Sequence, residues 1–165
     1  MLEGKRVVIW GTGKEGRAAE RVLNHEGTKT RSIVFVDEIP SDDLDIVSDA
    51  AGIEKAVAEA DVIIKSPGVS LYHPLLKGRQ VTSLLNLWWA RRPSGKTICV
   101  TGTKGKSTTS ALLGHVLNAL GYKAAVLGNI GVPVSEAPEG MDYLVLEMSS
   151  YQTANFEGLC DVAAV

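Results

Sequence analysis

The feature that most constrains this chain is Gly102-Thr103-Lys104-Gly105-Lys106-Ser107-Thr108, which lies between the apolar run Thr97-Ile98-Cys99-Val100 and a helical pattern from Lys106 to Leu120. A glycine-rich loop that leaves a strand and enters a helix at Lys-Ser is the context a phosphate-binding loop requires. Glycines let backbone N–H groups close around phosphate oxygens, and the helix N-terminus adds partial positive charge. Lys106 supplies a point charge for the terminal phosphates, and Ser107 offers a hydroxyl to Mg²⁺. The general pattern has glycine where this chain has Val100. A glycine-rich turn that binds nothing is the competing reading, and the Lys and Ser that follow Gly105 in this context argue against it.

The same strand–turn–helix order opens the chain. Arg6-Val7-Val8-Ile9-Trp10 reads as a strand, and Gly11-Thr12-Gly13-Lys14-Glu15-Gly16 matches G-x-G-x-x-G. A helix through Ala18, Ala19, Val22 and Leu23 should end near Gly27. The second strand, Ser32-Ile33-Val34-Phe35-Val36, leads to Asp37 roughly twenty residues past the last glycine, where a carboxylate can meet a ribose. A helix from Gly52 to Ala60 precedes the third strand, Val62-Ile63-Ile64-Lys65, which ends at Ser66-Pro67-Gly68. Continuous apolar runs fit a parallel sheet covered on both faces. The glycine motif alone suggests NAD, although tight strand–helix turns also use glycine for packing, and other nucleotides exploit the same turn.

The polar stretch Arg91-Arg92-Pro93-Ser94-Gly95-Lys96 reads as a boundary. It divides a Rossmann-like α/β domain over 1–93 from the opening of a P-loop α/β domain over 94–165. Gly121 is a natural helix stop, and strands follow at Ala124–Leu127 and Tyr143–Leu146. Glu147 closes the latter strand, at the head of Glu147-Met148-Ser149-Ser150-Tyr151-Gln152, and a carboxylate there is placed to hold Mg²⁺. Gly128-Asn129-Ile130-Gly131 allows close approach to a ligand, with a plain turn explaining it nearly as well. The final residues, 161–165, read as a strand cut short, and on that reading the chain is a fragment of a longer enzyme.

Bulk properties narrow the function classes. The net charge of -2 creates no field to draw nucleic acid or an anionic membrane, so neither is expected as a partner. No run approaches the roughly 20 apolar residues that cross a bilayer. The N-terminal apolar run is too short for a signal-peptide core, so the chain reads as soluble and cytoplasmic. Of the two cysteines, Cys99 reads as a buried strand residue. Without paired spacing or a nearby histidine, zinc is not expected, and neither is a disulfide framework. His25, His73 and His115 show no metal spacing, while Trp88 and Trp89 read as packing residues.

Taken together, these motifs resemble the Mur ligase family, which joins amino acids to UDP-N-acetylmuramoyl precursors of peptidoglycan. The loop at 102–108 looks like that family's ATP loop, which also lacks the first glycine of the general pattern. Glu147 to Gln152 resembles its Glu-x-Ser-Ser-aromatic-Gln segment, whose Glu binds Mg²⁺, and Gly128-Asn129-Ile130-Gly131 the segment whose Asn faces the muramoyl substrate. The Gly11–Gly16 turn and Ser66-Pro67-Gly68 resemble its UDP site, so the first glycine motif would hold UDP in place of NAD, with Asp37 at the uridine. The first part, about ninety residues long, is similar to that of members adding glutamate to UDP-N-acetylmuramoyl-L-alanine. Leu84-Leu85-Asn86-Leu87-Trp88-Trp89 after Thr82-Ser83 is similar to a branch using L-glutamate. The resemblance implies phosphoryl transfer from ATP to the substrate carboxylate, with Lys106 as the catalytic cation. It also places a further His metal ligand, a carbamylated lysine and an amino-acid-binding domain beyond Val165. A folate polyglutamate-type ligase, an NAD-dependent oxidoreductase and a non-catalytic nucleotide-binding module remain alternatives.

Overall fold

The computed structural model describes residues 2–25, 29–40, 43, 45–91 and 94–165. The chain forms two compact units, 1–84 and 85–165, each with its own parallel sheet. In the first, β1 (Arg6–Trp10), α1 (Lys14–His25), β2 (Ser32–Val36), β3 (Ile46–Val47), α2 (Ala50–Glu59), β4 (Val62–Lys65) and β5 (Val81–Thr82) follow in order. α3 (Leu84–Trp89) begins at the divide. The second unit continues with β6 (Lys96–Val100), α4 (Lys106–Ala119), β7 (Ala124–Gly128), β8 (Tyr143–Glu147), α5 (Ser150–Thr153) and β9 (Val162–Ala164).

The first sheet runs β3-β2-β1-β4-β5. The chain moves outward from β1 to β3 and then crosses back to β4, so the order reverses beside β1. A crevice opens at such a switch point, outside the carboxyl ends of the strands. The apolar runs are buried as a sheet covered on both faces requires: every residue of β4 is buried, as are Val7 to Trp10 of β1. One face packs Val8, Trp10 and Ile63 against Ile53 and Val57 of α2.

The second sheet runs β7-β8-β6-β9. Leu127, Leu144 and Leu146 pack on one face with Leu85 and Trp88 of α3. Ile98, Val100 and Val145 pack on the other with Leu113 and Leu117 of α4. This packing explains why the divide falls at Leu84 and not at the polar linker: α3 gives its apolar side chains to the second core. The expected linker residues Arg92 and Pro93, and the expected helix stop Gly27, lie outside the described residues.

Local chemistry shifts some element ends. α2 starts at Ala50, ahead of the expected Gly52, because the Asp49 carboxylate caps it by accepting the Gly52 amide at 2.8 Å. β3 and β5 have two residues each, too short to show a period in sequence. Cys99 and Cys160 are joined in a disulfide, contrary to the expectation that none forms. The reason is topological: β9 pairs with β6, which brings Cys160 to Cys99 across a sequence separation of 61. Among the described residues no helix is long and apolar enough to cross a membrane.

Candidate functional site

In the first unit the glycine turn follows β1 and is buckled to the end of β2. The Thr12 amide and hydroxyl both donate to Asp37 Oδ2, at 2.8 and 2.7 Å, and the Ile39 amide donates to Oδ1 at 3.1 Å. Burial pushes the Asp37 carboxyl up, but the Thr12 hydroxyl and the amides of Ile39, Thr12 and Glu38 outweigh it and hold the group below the ordinary carboxylate value. Asp37 thus fixes the turn through Thr12 while standing at the crevice wall.

The glycines of this turn do different work. Gly11 has a φ of 101°, open to glycine and strained for other residues. A Cβ at Gly16 would collide with the Gly11 carbonyl oxygen, so that position is needed for the helix to pack on the turn. At Gly13 a Cβ would meet nothing within 4 Å, and the same holds at Gly68. These two open positions face the crevice that Gly11, Thr12, Asp37 and Ser66 also line. Ser66 donates its hydroxyl to Gly11 O at 3.2 Å and so ties the end of β4 to the turn. Pro67 sits between Ser66 and Gly68 in that connection.

Trp10, Glu38 and His73 also line this crevice, and Lys65 ends the strand beside it; none of the four was read as a site residue from sequence. Trp10 closes β1 as the crevice floor, and His73 meets its ring edge-on at a centroid distance of 4.7 Å. His73 Nε2 lies 3.1 Å from Glu38 Oε1, linking the loop after β2 to the loop after β4. Lys65, at the end of β4, is only 2% exposed and donates from Nζ to Ser66 O at 3.2 Å. Burial pushes its pKa down, and the charge of Glu15 opposes that shift. A lysine ending an apolar run was a findable signal; the Glu38–His73 pairing was not.

In the second unit the loop at 102–108 joins the centre of the sheet to α4. Gly102 and Gly105 take positive φ values, 127° and 79°, and no side chain caps the fourteen-residue helix at Gly105. The first-turn amides of α4 therefore face the loop without a side-chain oxygen competing for them. Lys106 Nζ reaches back to Gly102 O at 3.0 Å. Gly102, Thr103, Lys104 and Lys106 line one crevice with Ser150 and Thr153 of α5. Thr108 follows in the exposed first turn of α4.

The pairing of β6 with β8 sets Val100 opposite Glu147, so the loop leaves the sheet beside the carboxylate. Ser107 donates its hydroxyl to Glu147 Oε1 at 3.0 Å. Glu147 is 3% exposed, and its Oε2 has no hydrogen-bond partner among the described residues. A buried carboxylate oxygen without a donor, beside a hydroxyl, suits a cation. Asn129 belongs to the second unit: it is exposed, and its amide donates to Glu147 O at 3.3 Å. The structure thus groups 102–108 with Glu147, and groups the Gly11–Gly16 turn with Asp37 and Ser66 to Gly68.

Residues 100–165 match the Mur ligase middle domain. Over 93% of its length the chain is 40% identical to the UDP-N-acetylmuramoyl-L-alanine--L-glutamate ligase of Xanthomonas euvesicatoria pv. vesicatoria (strain 85-10), covering 37% of that protein. The ligase of the same name from Xylella fastidiosa (strain Temecula1) is 40% identical over 95% of the chain and 38% of the relative. The one from Salinispora tropica is 40% identical over 99% and 39%. The chain spans between 37% and 39% of the length of these relatives.

Proposed function

We propose, from the premise that this chain belongs to the Mur ligase family, that it supplies the UDP-substrate-binding and ATP-binding parts of a ligase joining L-glutamate to UDP-N-acetylmuramoyl-L-alanine. The observation that carries this reading is the contact between Ser107 at the head of α4 and Glu147 at the end of β8. It assembles a phosphate loop and an acidic cation ligand at one point, as nucleotide-dependent phosphoryl transfer needs. The relatives named above supply the substrate class, and the site of action is the cytoplasm, where such precursors and ATP meet.

In this reading the UDP group lies in the first-unit crevice. Gly13 and Gly68 allow the diphosphate close approach, the N-terminus of α1 favours its charge, and Asp37 stands at the uridine end. Asn129 faces the muramoyl part. ATP lies on the second unit with its phosphates in the loop of Gly102, Thr103, Lys104, Gly105, Lys106, Ser107 and Thr108. Ser107 and Glu147 fit Mg²⁺: both offer hard oxygen, and such a site needs few protein ligands because phosphates and water complete the shell. The ion would supply charge neutralisation at the phosphate oxygens.

The reaction has two steps. The γ-phosphoryl group passes to the carboxylate of the alanyl substrate, giving an acyl phosphate and ADP. The amine of glutamate then attacks the acyl carbon, an amide forms and phosphate leaves. Lys106 offsets the charge spread over the transferring group, and the loop amides hold it in line. No side chain of the chain serves as a nucleophile.

Phosphate release by the intact protein, with ATP, UDP-N-acetylmuramoyl-L-alanine and each glutamate enantiomer, tests the proposal. Release should depend on the UDP compound and on L-glutamate. Dependence on D-glutamate would overturn the stereochemical part, and binding of NAD in preference to the UDP compound would overturn the whole.

A further inference from the structure

Lys65 is a buried cation that the proposed reaction does not use. All four residues of β4 are buried, and Lys65 itself is 2% exposed. An aliphatic side chain could fill such a position without the cost of desolvating an ammonium, so the sheet does not require lysine there. Register sets where the lysine stands: β4 pairs with β1 so that Lys65 lies opposite Trp10, the residue before the glycine turn. Two hydrogen bonds lace these strand ends together. The Ser66 amide donates to Trp10 O at 2.8 Å, and the Ser66 hydroxyl donates to Gly11 O at 3.2 Å. Lys65 Nζ donates to Ser66 O at 3.2 Å, and Ser66 lines the first-unit crevice. An ammonium has three protons to donate, and among the described residues this carbonyl is its one hydrogen-bond acceptor. A buried charge so thinly partnered calls for an anion from outside the fold.

We propose that Lys65 is a further binding residue of the first-unit crevice, whose ammonium offsets the charge of a diphosphate brought to the head of α1, where the Glu15 carboxylate stands. This role rests on the UDP reading of that crevice. The first-turn amides of α1 attract an anion. Glu15 lies in the same first turn and already sets one negative charge there. A diphosphate arriving at the turn therefore meets like charge, and the repulsion grows as the ligand excludes water. The residues lining the crevice include Asp37 and Glu38 but, among the described residues, no lysine or arginine. Lys14 also stands at the head of α1, but it is exposed, and a cation in water is screened where a buried one is not.

The electrostatics of the free protein fit this role. Burial disfavours the charged form of Lys65, and the charge of Glu15 favours it. A diphosphate acts in the same sense as Glu15, so ligand and ammonium stabilise each other.

The test titrates the intact protein with UDP by calorimetry and with uridine, which lacks the diphosphate and binds more weakly, by ligand-observed NMR. Lys65→Met keeps the length of the stem and removes the charge. Its denaturant midpoint should be no lower than that of wild type, because a thinly partnered buried charge is lost. Its Kd for UDP should rise about ten-fold or more, while its Kd for uridine stays within about two-fold. A lysine that only supports the fold would give the reverse, a lower midpoint and equal losses for both ligands. Adding Glu15→Gln to Lys65→Met should recover part of the lost UDP affinity, since the like charge at the head of α1 is removed. An unchanged Kd for UDP in Lys65→Met, or equal losses for UDP and uridine, overturns the role of Lys65 and leaves the UDP reading standing. A double variant that binds UDP no more tightly than Lys65→Met overturns the part given to Glu15. Absence of UDP binding by wild type overturns the UDP reading, and the role of Lys65 with it.

Discussion

Lys106 and Glu147 have opposite relations to the fold. Lys106 is partly exposed, and its ammonium donates to the loop carbonyl of Gly102. Lys106→Ala should change unfolding free energy by no more than about 0.5 kcal/mol. Turnover of the intact enzyme should fall about a hundred-fold or more, since a charge aimed at the transferring group is lost. Urea unfolding and phosphate release measure the two quantities, and activity within a few-fold of wild type would remove Lys106 from the mechanism. Glu147 is buried with one oxygen unpartnered, so Glu147→Gln should leave nucleotide binding insensitive to Mg²⁺ in a calorimetric titration. Asp37 makes a pH prediction. Its folded value lies below the ordinary one, because the Thr12 hydroxyl and three amides overcome the upward push of burial. The stability it contributes is complete above the unfolded value, about 3.9, and is lost as pH falls through the folded value. Asp37→Asn should therefore be less stable than wild type at neutral pH, with the gap narrowing below about pH 4. A gap that widens in acid would contradict the hydrogen-bond account.

Helices α1 and α4 both begin at glycine turns, and the two turns separate packing from ligand approach. At Gly16 a methyl group would strike the Gly11 carbonyl and push α1 off the sheet. Gly16→Ala should cost about 1–3 kcal/mol, read from the denaturant midpoint. At Gly13 a methyl group meets open space. Gly13→Ala should leave unfolding nearly unchanged while weakening UDP-muramoyl binding in calorimetry. If both variants lost stability equally, the crevice face of the turn would be misassigned. At α4 the backbone itself demands glycine: the φ of 79° at Gly105 strains any side chain, although a Cβ there would meet nothing within 4 Å.

Each of the two units has its own sheet and its own core, and in each a crevice lies at the carboxyl ends of strands. Ligand protection should divide the same way. In hydrogen exchange of the intact protein, UDP-N-acetylmuramoyl-L-alanine should slow amides of the Gly11–Gly16 turn and the 66–70 connection. ADP with Mg²⁺ should slow those of 101–108. Protection of the first glycine turn by ADP alone would contradict the assignment of the two crevices.

The long strands and the two glycine turns were legible in the sequence because each is a local fact. A continuous apolar run states that a strand is covered on both faces, and a glycine-rich turn between strand and helix states where an anion can approach. β1, β2 and β4 span Arg6–Trp10, Ser32–Val36 and Val62–Lys65, the bounds read from the sequence. The cap on α2 was open to the same reasoning, since Asp49 stands directly before the two alanines that open the helix. Other features had no local trace. The Cys99–Cys160 bond exists because β9 returns beside β6, and the Glu38–His73 pairing because β1 lies between β2 and β4. α3 joins the second unit because its leucine and tryptophan side chains fill that core, overriding the polar linker that marked the boundary. Sequence by itself determined which segments would be buried strands and which turns could admit phosphate. Strand order alone decided which distant residues became neighbours, because pairing in a parallel sheet depends on crossovers whose path no short window of sequence records.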